Sequence, residues 1–286
     1  MKCAWQEFVN ILPPWMRQDV MRLGQAGLQE LRLRTGSSPQ LCTAQGSIWL
    51  DRMATCNDLD YVINTASQYS PWTATTIKKG YITAPGGHRI GICGEAVMHN
   101  GEMTGIKSPS SLCIRIARDF DGCSKAADRY NESILIIGKP GSGKTTLLRD
   151  LIRRRSEQCK GSIAVVDERG ELFPVLRGTN CFFPGRCTDI ISNCPKSHGI
   201  DSVLRTMSPQ YIAVDEITHP DDCSTLIQAG WSGVFLLATA HAEDTLDLLK
   251  RPVYKPLVQT ALFRTVLVMQ KDQTFIAERM PIWNSN

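Results

Sequence analysis

The sequence predicts an α/β fold: a domain built on a mainly parallel sheet, preceded by a smaller α+β domain. Three observations carry this. From residue 133 onward, short apolar runs alternate with segments of helical length, the pattern of a parallel sheet covered on both faces. Before residue 119 the chain shows short runs punctuated by turn residues, the pattern of antiparallel strands. Between the halves lies a polar stretch, "DFDGCSKAADRYNE". The expected organisation is an N-terminal domain over 1–122, a linker over 123–132 and a second domain over 133–286.

The first half opens with two helical patterns, "WQEFVNIL" and "WMRQDVMRL". Pro14 starts the second, because its fixed φ and missing N–H suit a first helical position. "LQELRLRTG", "PQLCTA" and "SIWL" read as short strands. "CNDLDYVINTASQY" sets Leu59, Val62, Ile63 and Ala66 at helical spacing. "GYITAPGGHRIGICGEAVMHNGEMTGI" reads as a meander turned by Pro85-Gly86-Gly87 and Asn100-Gly101, with "LCIRIA" as one last strand.

The second half alternates. "SILIIG", "SIAVVDE", "YIAVDEI" and "GVFLLATA" read as strands. "KTTLLRDLIRRRSEQ", "IDSVLRTM", "PDDCSTLIQAGW" and "EDTLDLLKRP" read as the helices between and after them. "LFRTVLVMQKDQTFIAERM" reads as a hairpin that extends the sheet.

With 42% apolar and 21% charged residues over 286 positions, the chain can bury a substantial core. A net charge of +4 tolerates an anionic partner without demanding one. None of the eleven cysteines falls in a C-x-x-C pair, and the N-terminus lacks a signal-peptide pattern, so a reduced, cytosolic protein is expected. Cys181, Cys187 and Cys194, with His198 nearby, are not spaced as a zinc knuckle, and no metal is expected there. No apolar run is long enough for a membrane span, so any membrane role is expected to run through a partner.

"GKPGSGKT", Gly138 to Thr145, fits the phosphate-binding pattern G-x-x-x-x-G-K-[ST]. It follows an apolar strand and opens a helix, as that pattern requires. Gly138, Lys139, Pro140, Gly141, Ser142 and Gly143 form the loop, and Gly141 and Gly143 let successive N–H groups converge on phosphate oxygens. Lys144 is expected on the β- and γ-phosphates, and Thr145 on Mg²⁺. Thr146 is expected to cap or pack near the nucleotide. The fold class is therefore a P-loop NTPase of the RecA-like kind, with ATP and Mg²⁺ as expected ligands.

Two strands end in the same acidic pair, Asp167-Glu168 and Asp215-Glu216. In P-loop ATPases with an extra strand between the P-loop strand and the Mg²⁺ strand, the later pair serves the metal. Asp215 is then expected to hold a Mg²⁺ water and Glu216 to polarise the attacking water. The earlier pair lies one strand further out but still reaches the rim, and Glu171 adds a third acid beside it. His241, at the tip of the strand after the Mg²⁺ strand, can touch the γ-phosphate or its water.

In order, the P-loop "GKPGSGKTT", the acidic box "VVDERGE", the string "LRTMSPQYIAVDEI" and the His box "TAHAED" resemble the type II/type IV secretion ATPase superfamily. Those proteins are the hexameric motors of secretion systems and pili. "LQELRLRTGSSPQLCTAQGSIWL" looks like the opening of that superfamily's N-terminal domain. A narrower resemblance rests on "GYITAPGGHRIGICGEAV", "SLCIRIARD", "GRCTDIISNCPKSHGI" and "MSPQYIAVDEI", which are similar to the stage III sporulation protein AA family. That family comprises mother-cell ATPases associated with the transenvelope channel of endospore-forming bacteria.

The resemblance implies an ATPase that assembles as a homo-oligomer, a hexamer. It also implies an integral membrane partner in a sporulation channel, and a cytoplasmic site peripheral to the inner membrane on the mother-cell side. It gives Glu168 or Glu171 to the catalytic rim, His241 to sensing, and Arg115 and Arg118 of "CIRIARD" to the nucleotide. The chain departs from many secretion motors in having Asp215-Glu216 for Gly-Glu, and Thr218-His219 where Arg-Asp follows.

Two other functions fit parts of the sequence. The run "RDLIRRR", Arg149 to Arg155, allows a nucleic-acid-stimulated motor, although a solvated helix face is the simpler reading and no stable nucleic-acid complex is expected. A nucleotide-gated scaffold with little turnover is the second.

Overall fold

The structure, a computed structural model, describes residues 1–67, 80–158, 161–176 and 178–280. Two compact units emerge. One comprises Met1–Asp119 with Pro174–Cys181, and the other Phe120–Phe173 with the chain from Phe182 onward.

In the first unit, α1 (Trp5–Asn10), α2 (Pro14–Gly27) and α3 (Cys56–Ser67) accompany six strands. These are β1 (Leu28–Arg34), β2 (Gln40–Thr43), β3 (Gly46–Trp49), β4 (Tyr81–Thr83), β5 (Arg89–His99) and β6 (Glu102–Arg115). They form one antiparallel sheet in the order β3-β2-β1-β6-β5-β4. Strand alternation sends Leu31, Leu33, Ile90, Leu112 and Ile114 to one face, where they pack with Phe8, Met16, Val20, Leu59 and Val62 of the helices. The last two residues of the segment read as the α3 helix lie outside the described residues.

The Asn100-Gly101 turn forms as expected, with positive φ at both positions. The last strand is not separate, however. Residues 102–115 form one continuous strand against β5, with register shifts between Cys93 and Glu95 and between Val97 and Met98. Gly94 lies at the first shift, where a Cβ would come within 2.8 Å of the Lys107 and Ser108 carbonyls.

In the second unit, β7 (Ile134–Ile137), β8 (Ile163–Asp167), β11 (Thr188–Ser192), β12 (Tyr211–Ile217), β13 (Phe235–Ala240), β14 (Thr265–Met269) and β15 (Phe275–Arg279) form one sheet. The short pair β9 (Val175–Leu176) and β10 (Thr179–Asn180) belongs to the first unit. The order is β11-β8-β12-β13-β7-β14-β15, parallel except for the β14–β15 hairpin. β7 and β8 are buried along their whole length, as a sheet covered on both faces requires.

The helices are α4 (Lys144–Glu157), α5 (Lys196–Thr206), α6 (Pro220–Trp231), α7 (Thr245–Lys250) and α8 (Lys255–Gln259). β11 was not expected from the sequence. "TDIIS" is a short, half-buried edge strand whose pattern is weak. α5 also starts four residues earlier than its apolar spacing suggests, because its first turn is polar and capped by Pro195.

Two sequence expectations change here. The stretch 123–132 packs onto the second unit: the buried Asp150 carboxylate accepts the N–H of Gly122 (3.0 Å) and of Ser124 (2.7 Å), and Ala127 is fully buried. The "RDLIRRR" run is neither a solvated face nor a free basic one. Arg149, Arg153 and Arg155 are 6%, 7% and 1% exposed. Arg154 pairs with Asp128, and Arg155 lies over the Tyr211 ring and donates to the Tyr130 carbonyl. The long stems of Arg149, Arg153 and Arg155 are buried, while Arg149 and Arg155 each reach a carbonyl and a ring.

Candidate nucleotide site

The site forms where the parallel strands of the second unit end. β7 leads into Gly138–Gly143, and α4 begins at Lys144. Gly141 (φ 76°) and Gly143 (φ 96°) take left-handed conformations that other residues adopt only with strain. No side chain caps the start of α4, so its first N–H groups remain available to an anion. Ser142 Oγ is buried without a partner. An open helix start, an unsatisfied hydroxyl and a lysine with no carboxylate contact fit a phosphate group.

Lys144 is 6% exposed. Its ammonium donates to the Gly138 and Lys139 carbonyls at 2.9 and 3.0 Å and to His241 Nδ1 at 3.0 Å. Burial pulls it below the ordinary lysine range, against the attraction of Glu216 and Asp215. Because an ammonium only donates, His241 Nδ1 accepts, and the ring's proton sits on Nε2. That nitrogen reaches Glu216 Oε1 at 2.8 Å. Lys144, His241 and Glu216 thus form a continuous chain of contacts.

Thr145 Oγ1 and Thr239 Oγ1 both donate to Asp215 Oδ1, at 3.4 and 3.3 Å. The β12–β13 register slips at Asp215, a bulge that re-aims a strand-end side chain. Burial, then the carboxylates of Glu171, Asp167 and Glu216, push Asp215 up to about 7. A hydroxyl and a crowded carboxylate are oxygen donors of the kind a magnesium ion takes.

The two acidic pairs have different partners. Asp167 is fully buried and accepts the N–H groups of Glu171 (2.9 Å), Leu172 (3.1 Å) and Phe173 (2.9 Å). Burial raises its carboxyl above the usual range even so. Glu168 Oε2 meets Lys196 Nζ at 2.5 Å. The charge of Glu171 is among the causes that raise Asp215 on β12, after burial.

Of the other expected residues, Lys139 pairs with Glu243 at 3.0 Å on the surface. Pro140 is exposed, and Thr146 is half-buried one place beyond Thr145. Arg115 is exposed and 3.4 Å from Glu30, within the first unit. Arg118 donates to the Gln25 carbonyl (2.8 and 3.2 Å) and to Leu28 O, bracing the α2–β1 junction of that unit. His219 caps α6, with Asp222 accepting the N–H groups of Thr218 and His219.

Three contributors escaped the sequence reading. Arg149 donates to the Leu172 and Glu171 carbonyls at 2.5 and 2.8 Å, which ties the acidic-box loop to the P-loop helix. Tyr254 Oη accepts His241 N–H at 3.2 Å and donates to Ile217 O at 3.1 Å. Lys196 holds Glu168. A lysine at the first position of a helix, against the dipole, was the one signal available for it.

The sheet order and this site define a P-loop NTPase domain of the RecA-like kind. A pilus retraction motor, PilT, solved with bound ADP, superposes with a TM-score of 0.62 at 13% identity, covering 94% of this chain and 83% of that one. The Legionella pneumophila ATPase DotB superposes with a TM-score of 0.55 at 17% identity, covering 94% and 80%. The family model for sporulation stage III, protein AA, matches residues 5–279, and the chain belongs to that family. It is 34% identical over 278 residues to stage III sporulation protein AA of Bacillus subtilis (strain 168), spanning 93% of this chain and 91% of that protein.

Proposed function

We propose that this protein hydrolyses Mg-ATP as a hexameric motor of the secretion-ATPase type. It energises the assembly of, or transport through, a transenvelope channel during endospore formation. The observation that carries the reading is the contact chain Lys144–His241–Glu216 beside the Thr145–Asp215 pair.

In this reading Lys144 leaves the Gly138 and Lys139 carbonyls and holds the β- and γ-phosphates, with the loop N–H groups. Thr145, and Asp215 through a bound water, would hold a magnesium ion, which would supply charge neutralisation at the phosphates. Glu216 orients and polarises the attacking water. His241 senses the γ-phosphate, because the lysine it contacts is the one the phosphate recruits. Glu171 rather than Glu168 serves the catalytic rim. Among the described residues no helix is long and apolar enough to cross a membrane. The protein works in the cytoplasm, and an integral membrane partner holds it at the inner membrane on the mother-cell side.

Purified protein is expected to convert ATP to ADP and phosphate in the presence of Mg²⁺, and Lys144→Ala to abolish this. Equal turnover by both would sink the site assignment. Light scattering with ATP is expected to show a six-subunit species, and a persistent monomer at high concentration would count against the ring.

A further inference from the structure

We propose that Lys196 is a positioning residue that braces the acidic box against the exit of the Mg²⁺ strand and so sets the reach of Glu216. The inference rests on the motor reading above, which gives Glu216 its water.

The geometry is unusual for a lysine. It is 5% exposed, and it starts α5, where the helix dipole opposes a cation. Two carboxylates hold it there: Glu168 Oε2 at 2.5 Å and Asp222 Oδ2 at 3.5 Å. A buried ammonium keeps such a place only when paired, and here two carboxylates share that pairing.

Each partner belongs to a segment of the nucleotide site. Glu168 follows Asp167, whose carboxylate folds the loop carrying Glu171. Asp222 accepts the N–H groups of Thr218 (3.0 Å) and His219 (3.1 Å), the first residues after β12. Glu216 stands two residues before Thr218. Lys196 therefore joins two strand ends that are neighbours in the sheet, β8 and β12, beyond the point where their ladder of paired residues stops at Val166 and Val214. Lys196 holds the Glu168 carboxylate directly and, through Asp222, meets the segment that follows β12.

A lysine that served only overall stability would, when replaced, weaken nucleotide binding and turnover together. A positioning residue separates the two. In full-length protein, Lys196→Met is expected to lower kcat about 10-fold or more, the scale of a small misplacement of a reacting group. KM for ATP, and the affinity for a fluorescent ADP analogue, are expected to stay within about threefold, the signature of an interaction felt only in the transition state. Lys196→Arg, which keeps the charge, is expected to recover most of kcat.

Hydrogen exchange supplies an independent arm. The amides of Thr218 and His219 are expected to exchange faster in Lys196→Met and in Asp222→Asn than in wild type. Should Lys196→Met fail to fold, Glu168→Gln takes its place, since it removes one of the two partners and leaves the lysine. The proposal is overturned by a kcat within about twofold of wild type. It is equally overturned by parallel losses of kcat and ADP affinity that arginine does not rescue. A wild-type protein that turns over no ATP would overturn the motor reading instead. The exchange arm then decides the brace alone, and unchanged exchange at Thr218 and His219 overturns it.

Discussion

The same dipeptide ends two neighbouring strands, and the two copies do opposite things. On β8, Asp167 is saturated by three backbone N–H groups, and Glu168 is held by a buried lysine. On β12, Asp215 accepts from two hydroxyls, and Glu216 meets a histidine. The first pair builds the loop; on the proposed reading the second serves the nucleotide. An acidic residue at a strand end is free for chemistry only when the chain that follows does not fold back and use it as an acceptor.

The comparison is tested most severely by exchanging acids for amides. Glu216→Gln is expected to cut turnover by about 10²–10⁴-fold, the range for a general base, while ADP still binds. Glu168→Gln is expected to cost far less, about 10-fold. Steady-state kinetics on both variants decide it, and a reversed order would exchange the roles assigned to β8 and β12.

Stability should separate the two aspartates the other way round. Asp167→Ala leaves three N–H groups without their acceptor, two of them buried, and is expected to lower unfolding free energy by about 3 kcal/mol in urea titration. Asp215→Ala leaves no backbone group unsatisfied and relieves carboxylate crowding, so its unfolding free energy in the absence of nucleotide should match or exceed that of wild type.

The pH dependence follows from Asp215. Its folded-state value is raised to about 7, above that of the unfolded chain, so between the two values the folded state binds the extra proton. The contribution of this group is therefore fully present below the unfolded value and is lost as pH rises through about 7. Mg²⁺ needs the ionised carboxylate, so Mg·ADP should raise the melting temperature more above that pH than below it. Asp215→Asn should remove this pH dependence. A profile unchanged by the substitution would show that another group carries it. The smallest effect expected is from Glu171→Gln, which removes one of the charges raising Asp215 and should move the midpoint of the magnesium effect to lower pH.

Much of this was legible in the sequence. The P-loop declared itself through glycines whose positive φ only that residue takes easily. β7, β8, β12 and β13 were visible as apolar runs, and the earlier acidic strand does lie one place further out than the later one, with β13 between β12 and β7. The partners of the acids were not legible. Glu168 and Lys196 are 28 residues apart, on a strand exit and a helix start that only the tertiary fold brings together. Arg149 to Arg155 looked solvated because charge normally marks a surface, whereas here long stems are buried and carbonyls and rings receive the heads. β6 looked like two strands because register shifts interrupt its alternation.

Tyr254 carries one more consequence. Its hydroxyl accepts from the His241 backbone and donates to the Ile217 carbonyl, so a single oxygen rivets the tips of β13 and β12 together. The ladder already pairs Glu216 with Thr239 and Ile217 with Ala240, and the tyrosine extends that fastening to His241, so His241 and Glu216 sit on ends that are tied together. On the proposed motor reading, a stroke that begins at the phosphate is passed on as the motion of a coupled pair, and a tyrosine far from the P-loop in sequence adds to the stiffness of that coupling.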